Sequence, residues 1–470
     1  VLFNSVAFLL FLPLVVVVYY LLPSRYRWLL LLPASYIFYG WWKVEFLFLI
    51  LFSTVADYFL SQRIHSAKRL LNRRIFLSLS LISNLGLLFV FKYLILFVDP
   101  MEAMQLNIYS ADHPVFGTIL YGIFYAIPVG ISFYTFQTMS YTLDVYFNRI
   151  TPEKHFGKFA LFVSFFPQLV AGPIERFSHL MPQLKADHKP LYKNFSNAFR
   201  LILYGFFIKI CVADNLAPLV DAVYDNPENY GSMTLWLGTL GFGYQIYADF
   251  AGYTLIAQGA ALCLGIKLMD NFRTPYWATG ISEFWQRWHI SLSTWFRDYL
   301  YFPLGGNRVS KARWIFNIMF VFAVSGFWHG ANWTFIIWGS IHGMLYLIER
   351  FILAPTPQTS TWKKYTSWIL TFAGIQLAWV FFRLDSIDLA QAHFANLLSS
   401  SGHTSLHLTT PVLLILTIFL ISEIWLYNKR IDTALDKLPW WGRWSIYTFA
   451  IWCIGAWGGV VNHPFIYFQF

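Results

Sequence analysis

The chain of 470 residues is 57% hydrophobic and only 12% charged, against about 25% charged for an ordinary soluble domain. So little charge cannot clothe a water-soluble globule of this length, which excludes a soluble enzyme and makes lipid the main neighbour. The net charge of +10 would suit nucleic acid in a soluble protein. Here the Lys and Arg residues gather in short segments between apolar runs, as in cytoplasmic loops, and no nucleic-acid partner is expected.

In chain order, the run Val6–Leu22 is long enough to cross a bilayer. No small-residue cleavage site follows it, so it reads as a retained first span and not a removed signal peptide. Further predicted spans are Trp28–Trp42, Val44–Leu60, Ile75–Val98, Val115–Phe136, Phe156–Val170, Phe199–Val212 and Leu235–Tyr247. Thr254–Leu268, Trp314–Phe327, Trp333–Ile348, Ser367–Phe382, Pro411–Tyr427 and Ser445–Val460 complete the series. Several are short or interrupted by Pro and Gly, which suits tilted, broken or re-entrant helices inside a bundle.

Loop charge sets the orientation. Arg63, Lys68, Arg69, Arg73 and Arg74 mark a cytoplasmic loop, whereas Asp99–Val115 has acids and no Lys or Arg. Counting spans back puts Arg25 and Arg27 inside and the N-terminus outside. Lys185, Lys189 and Lys193 mark a second inside loop, and Asp221–Tyr230 reads as external. Lys363 and Lys364 fall inside, Asp385–His407 outside, and Lys429, Arg430, Lys437 and Arg443 inside. One more span then carries the C-terminal tail outside. The expectation is a single membrane-embedded domain over residues 1–470, with an aromatic tail at 463–470. Cys211, Cys263 and Cys453 each stand alone in apolar sequence, so neither a disulfide framework nor a metal site is expected.

Two segments carry the chemistry. Ser282–Leu300 has helical character but is too polar to span. On one helix, Trp285, Trp288, His289, Leu292 and Phe296 would share a face, giving an amphipathic helix at the cytoplasmic boundary or entering the bundle. The second segment, Ser325-Gly-Phe-Trp-His-Gly-Ala-Asn-Trp333, closes an apolar helix on His329. An ionisable residue at membrane depth faces the bundle interior and is a functional candidate by default, and imidazole suits proton transfer near neutral pH. His342 is the weaker candidate and reads as structural.

His289 and His329, with residues 284–308 and 325–343 around them, resemble the signature of the membrane-bound O-acyltransferase family. The likeness extends to Leu2-Phe-Asn-Ser5, Pro128-Val-Gly-Ile-Ser-Phe-Tyr134, Tyr141-Thr-Leu-Asp-Val-Tyr146, Phe166-Pro-Gln-Leu-Val-Ala-Gly-Pro-Ile174 and Tyr247-Ala-Asp-Phe-Ala-Gly-Tyr253. Within the family the chain resembles the bacterial branch that O-acetylates alginate and peptidoglycan. The resemblance implies an all-α, polytopic transmembrane bundle around a central tunnel, with interfacial and re-entrant helices. It places the catalytic histidine at His329 and a second characteristic position at His289. It implies no bound cofactor, acetyl-CoA as donor substrate, a bacterial inner-membrane location and a periplasmic SGNH-type transferase as partner.

An acyl thioester is already activated, so the protein must position it, deprotonate a hydroxyl and stabilise an oxyanion. His329 is the natural general base or proton shuttle, and His289 could orient the thioester carbonyl or donate to the developing oxyanion. Asn332 is a lesser candidate as oxyanion donor, and Trp328 would line the site. Arg297, Arg308, Lys311 and Arg313 could attract the donor's phosphates, although positive-inside charge explains them equally well. The tail Pro464-Phe-Ile-Tyr-Phe-Gln-Phe470 resembles the tyrosine-containing C-terminal motif of a small partner protein in teichoic acid D-alanylation. That resemblance implies that Tyr467 enters the tunnel from outside and carries the acyl group as an ester, whereas an aromatic interface belt would also favour such residues. The ending of the chain at this tail leans toward peptidoglycan as acceptor. D-alanyl transfer to teichoic acid is the alternative within the family, and a proton-coupled transporter or flippase the alternative outside it.

Overall fold

A computed structural model describes residues 3–41, 43–97, 128, 130–170, 172–352, 361–399, 409–457 and 465–468. Among these residues every regular element is a helix. Three helices among the described residues are long and apolar enough to cross a membrane: Phe46–Ser66, Leu70–Tyr93 and Thr361–Arg383. Val6–Leu21 and Thr410–Trp425 are shorter apolar helices. The first of these is inside-out for water, burying Phe8, Leu12, Val15 and Tyr19 while exposing Val6, Leu10, Leu14 and Leu21. Apolar side chains turned outward along a helix are what a lipid environment selects.

The chain divides into two compact units, one of residues 1–198 and 257–269, the other of residues 199–256 and 270–470. In the first unit, α1 (Val6–Leu21) starts where the Ser5 hydroxyl accepts the Phe8 N–H, which makes Ser5 the helix cap. Then come α2 (Arg27–Gly40), α3 (Phe46–Ser66), α4 (Leu70–Leu88) and α5 (Ile131–Tyr146). Three short helices follow: α6 (Phe156–Ser164), α7 (Phe166–Leu169) and α8 (Phe177–Lys185). Gly130 opens α5 at φ 75°, and a Cβ there would meet the Leu169 carbonyl oxygen at 2.7 Å, so only glycine fits. Gln168 and Gln137 bind each other at 2.6 Å and both donate to the Phe162 carbonyl, which closes the break before α7. Arg27 donates to Asp187 and to the His188 carbonyl, Gln62 to the Glu153 carbonyl, and Lys185 pairs with Glu153. These bonds tie the start of α2, the end of α3 and the end of α8 to the segments that follow α5 and α8.

The second unit takes up the chain within α9 (Tyr192–Phe206), which leads through a π-helical stretch, Phe207–Ala213, into α10 (Asp214–Asp225). It continues through α11 (Ser232–Cys263), of which residues 257–263 are counted with the first unit, and then through α12 (Ile281–Arg287), α13 (Ile290–Phe296), α14 (Lys311–His329), α15 (Trp333–Phe351) and α16 (Thr361–Arg383). The last helices are α17 (Ile387–Leu398), α18 (Thr410–Trp425), α19 (Ile431–Ala434) and α20 (Trp440–Trp457), after which Ile466–Phe468 forms a single 3₁₀ turn.

Two expectations are corrected. Leu235–Tyr247 and Thr254–Leu268 are not two spans: one helix of 32 residues, α11, runs through the polar Tyr247–Tyr253 motif. The polar dip in hydropathy does not break it because Asp249 finds a buried ammonium, Lys209, at 2.8 Å. Phe156–Val170 is two short helices that part at Phe165. The expected span Val115–Phe136 and the loop Asp99–Val115 lie largely outside the described residues, as do Leu2, Trp42, Val129, Ala171 and Pro464. Its described end helps to form α5, which runs on to Tyr146.

Candidate active site

His329 is the last residue of α14, and its position depends on the hairpin that α14 makes with α15. That hairpin closes on glycine: a Cβ on Gly326 would meet the Phe335 carbonyl oxygen at 2.1 Å, and one on Gly339 the Phe322 carbonyl oxygen at 2.2 Å. Gly330 then ends the helix in extended conformation, and the ring of Phe335 takes the space its side chain would need. The His329 ring, 3% exposed as a residue, is edge-on to Trp328 at 4.9 Å, Trp338 at 5.1 Å and Phe382 at 5.2 Å. His342 also lies against Trp338, at 4.9 Å.

His289 arrives from a different direction and in a different way. The expected continuous helix through Trp285, Trp288, His289, Leu292 and Phe296 is corrected: it breaks at Trp288–His289 into α12 and α13. His289 has φ 42° and ψ 52°, a left-handed conformation rare for a residue with a Cβ. The break is held from outside the segment. The Ile290 N–H donates to the Asn271 carbonyl and the Arg273 N–H to the Arg287 carbonyl, while the Asn271 side chain accepts from the Ser291 hydroxyl at 2.9 Å. Such a backbone is costly unless its surroundings over-determine it, and it turns the fully buried imidazole toward Phe250, with ring centres 4.7 Å apart. The two histidine rings are 6.4 Å apart.

The third member comes from the tail. Phe465 is fully buried, packing on Tyr253 at 4.5 Å and Phe250 at 5.6 Å. Tyr467 follows it, with its ring 4.5 Å from Phe250, 5.8 Å from His329, 6.4 Å from His289 and 6.4 Å from Phe382. Its hydroxyl is buried. The side chains of Phe468, Gln469 and Phe470 lie outside the description. An imidazole pair and a phenol thus share one aromatic enclosure. Such a set can hold a proton on a ring nitrogen, present an oxygen nucleophile and exclude water from a reactive ester.

Trp328 lies in this enclosure, against the His329 ring. Asn332 does not, which is a second correction at the site. Its side-chain oxygen caps α15 by accepting the Thr334 N–H at 3.1 Å, and its amide donates to the Asp385 carbonyl. Both ends of the amide are occupied by backbone, so it is turned away from oxyanion work. Arg297 and Arg308 are exposed, and Arg297 pairs with its neighbour Asp298 at 2.9 Å. Lys311 and Arg313 are likewise exposed and lie over the rings of Phe351 and Phe316. Sequence reasoning passes over Lys209 and Asp214, which join Asp249 beneath the tail at 2.8 Å and 2.6 Å from the ammonium. The available signal was Lys209 inside the apolar run Phe206–Ala213, with Asp214 directly after it, since ionisable groups are costly at membrane depth. Asn271, which fixes the His289 turn, carried no local signal.

The family model for membrane-bound O-acyltransferases matches residues 153–387. A probable alginate O-acetylase of Azotobacter vinelandii is 40% identical over 407 residues, covering 86% of this chain and 79% of that protein. A peptidoglycan O-acetyltransferase of Helicobacter pylori is 36% identical over 444 residues, 87% of this chain and 82% of its own length. A teichoic acid D-alanyltransferase of Bacillus subtilis is 30% identical over 255 residues, 51% of this chain and 62% of its own. Buried histidines among apolar helices, lipid-facing side chains and relatives of this extent lead to one assignment: the chain belongs to the membrane-bound O-acyltransferase family and is a multi-pass membrane enzyme of acyl transfer.

Proposed function

We propose that this enzyme takes acetyl from acetyl-CoA at the cytoplasmic side of a bacterial inner membrane and delivers it outside, for O-acetylation of a cell-envelope polysaccharide. Support for the acetyl group and for this class of acceptor comes from the relatives named for alginate and peptidoglycan O-acetylation. In this reading the bundle encloses a tunnel crossing the membrane, and a periplasmic SGNH-type transferase completes the reaction.

The observation that carries the reading is Tyr467 seated 5.8 Å, ring to ring, from His329. A neutral phenol is a weak nucleophile, so a ring nitrogen of His329 takes its proton as the oxygen attacks the thioester carbonyl. The new C–O bond forms, the C–S bond breaks, and the CoA thiolate leaves with the proton from the imidazolium. His289 orients the carbonyl or stabilises the oxyanion between those events. Because a phenol is a good leaving group, the aryl acetate keeps much of the reactivity of the thioester. An aliphatic hydroxyl would lose it. A hydroxyl of the periplasmic partner then attacks the ester and the phenol regains its proton. The exposed Arg297 and Arg308 serve as attractors for the donor's phosphates.

The test is labelling of the purified enzyme in lipid nanodiscs with acetyl-CoA radiolabelled in the acetyl group. The wild type should retain covalent label on the tail, Tyr467→Phe none, and His329→Ala should label about 10²- to 10⁴-fold more slowly. Equal labelling of wild type and Tyr467→Phe would sink the relay. Transfer from a D-alanyl donor in place of acetyl would move the assignment to the other branch.

A further inference from the structure

To reach the histidines, the tail must bury backbone polar groups in an apolar bundle, where each unpaired N–H is costly. The Ile466 N–H is met by the Oδ2 of Asp249 at 2.7 Å. The other oxygen of Asp249 forms an ion pair with Lys209 at 2.8 Å, and Lys209 donates to Asp214 at 2.6 Å. Lys209 is fully buried, Asp249 is 3% exposed and Asp214 7%. Two features set Lys209 there. The π-helical stretch Phe207–Ala213 re-aims the side chains that follow α9, and glycine lets the backbones close. A Cβ on Gly205 would meet the Gly252 carbonyl oxygen at 2.8 Å, and one on Gly252 the Gly205 carbonyl oxygen at the same distance and the Lys209 Cβ at 3.0 Å. The triad holds two carboxylates for one ammonium. That surplus makes Asp249 a charge-assisted acceptor for the tail. The next residue, Phe250, touches both His289 and Tyr467.

We propose that Asp249, held by Lys209, is a positioning residue that seats the C-terminal segment and fixes the register in which Tyr467, and no neighbour, faces His329. The seat exists whether or not Tyr467 is acylated; only its effect on transfer rests on the proposed relay. Asp249→Asn is a sharp probe, because Lys209 needs an acceptor and will claim the amide oxygen. The amide NH₂ then faces the Ile466 N–H, donor against donor. Ile466→Pro deletes the same bond from the tail side at the first residue of the 3₁₀ turn, where proline is tolerated, and leaves the triad whole. Ile466→Ala keeps the N–H and removes only packing.

The experiment places a cysteine at Gln469 in a background in which the three native cysteines are replaced. Its modification by a membrane-impermeant maleimide is followed in nanodiscs, with acetyl transfer to Tyr467 in parallel. Asp249→Asn and Ile466→Pro should each speed modification about tenfold or more and slow acetylation of Tyr467 similarly, with the KM for acetyl-CoA unchanged. Ile466→Ala should change both by less. A tail as protected in Ile466→Pro as in the wild type would overturn the seat, and that variant leaves the bundle's own residues intact should Asp249→Asn fail to fold. A tail released in both variants, in an enzyme whose Tyr467 is never labelled, would sink the relay and keep the seat.

Discussion

Each unit buries an acid among apolar helices, and the two solve the problem differently. In the first unit Asp57, on α3, is fully buried and accepts from the Ser80 hydroxyl at 2.6 Å and the Asn84 amide at 2.8 Å. Asn84 in turn accepts from Ser53 and Thr138, so α3, α4 and α5 are tied together by neutral groups whose bonds stay inside the unit. In the second unit Asp249 is answered by an ammonium, and one of its oxygens goes to a backbone 217 positions along the chain. A network that closes on itself holds helices together. A charged cluster that spends an acceptor on a distant segment holds that segment in place, and here the segment bears the candidate nucleophile.

The strongest way to break this contrast is Lys209→Met. It leaves two buried carboxylates without their cation, and removing one partner of a buried ion pair costs about 3–5 kcal/mol. We expect a large fall in the thermal midpoint of the detergent-purified protein and in the yield of folded enzyme. Adding Asp214→Asn should recover part of the loss. A Lys209→Met enzyme that unfolds at the wild-type temperature would show that the triad carries no structural load.

Asp57→Ala should cost less, about 1–3 kcal/mol in all, because the donors it strands have other acceptors within reach. Ser80 also lies 3.2 Å from Thr142, and the Asn84 amide also donates to the Ser80 carbonyl, so alternative bonds exist. Acetyl transfer per folded molecule should stay at the wild-type value, measured by normalising labelling to the monodisperse fraction. A variant that folds as well as the wild type but transfers poorly would erase the distinction between the two clusters.

The same contrast explains what could be read from the sequence. Helical content, lipid-facing character and the pairing of His289 with His329 followed from hydropathy, from ionisable residues at membrane depth and from the family signature, and the tail stood out by composition. The break at His289 did not, because helical periodicity continues through Trp285, Trp288, Leu292 and Phe296 with no proline or glycine to interrupt it. Its cause lies in Asn271 and Arg273, joined to the segment only in the folded chain. The continuity of α11 was hidden for a related reason. A hydropathy window sees Asp249 as a break, but a charge paired in space no longer acts as one.

Asn332 gives the smallest expected effect. Beside His329 in sequence, an amide suggests an oxyanion donor; in the fold it caps α15 and braces the Asp385 carbonyl. Asn332→Ala should therefore lose about 1 kcal/mol of stability, the usual cost of an N-cap, and change the rate of acetyl transfer per folded molecule by less than about twofold. Asn332→Asp keeps the cap's acceptor and adds charge at the start of a helix, so it should recover part of the loss. The two measurements separate the roles cleanly. An oxyanion donor removed from the site would slow transfer about 10²- to 10³-fold at unchanged thermal midpoint, which is the opposite signature.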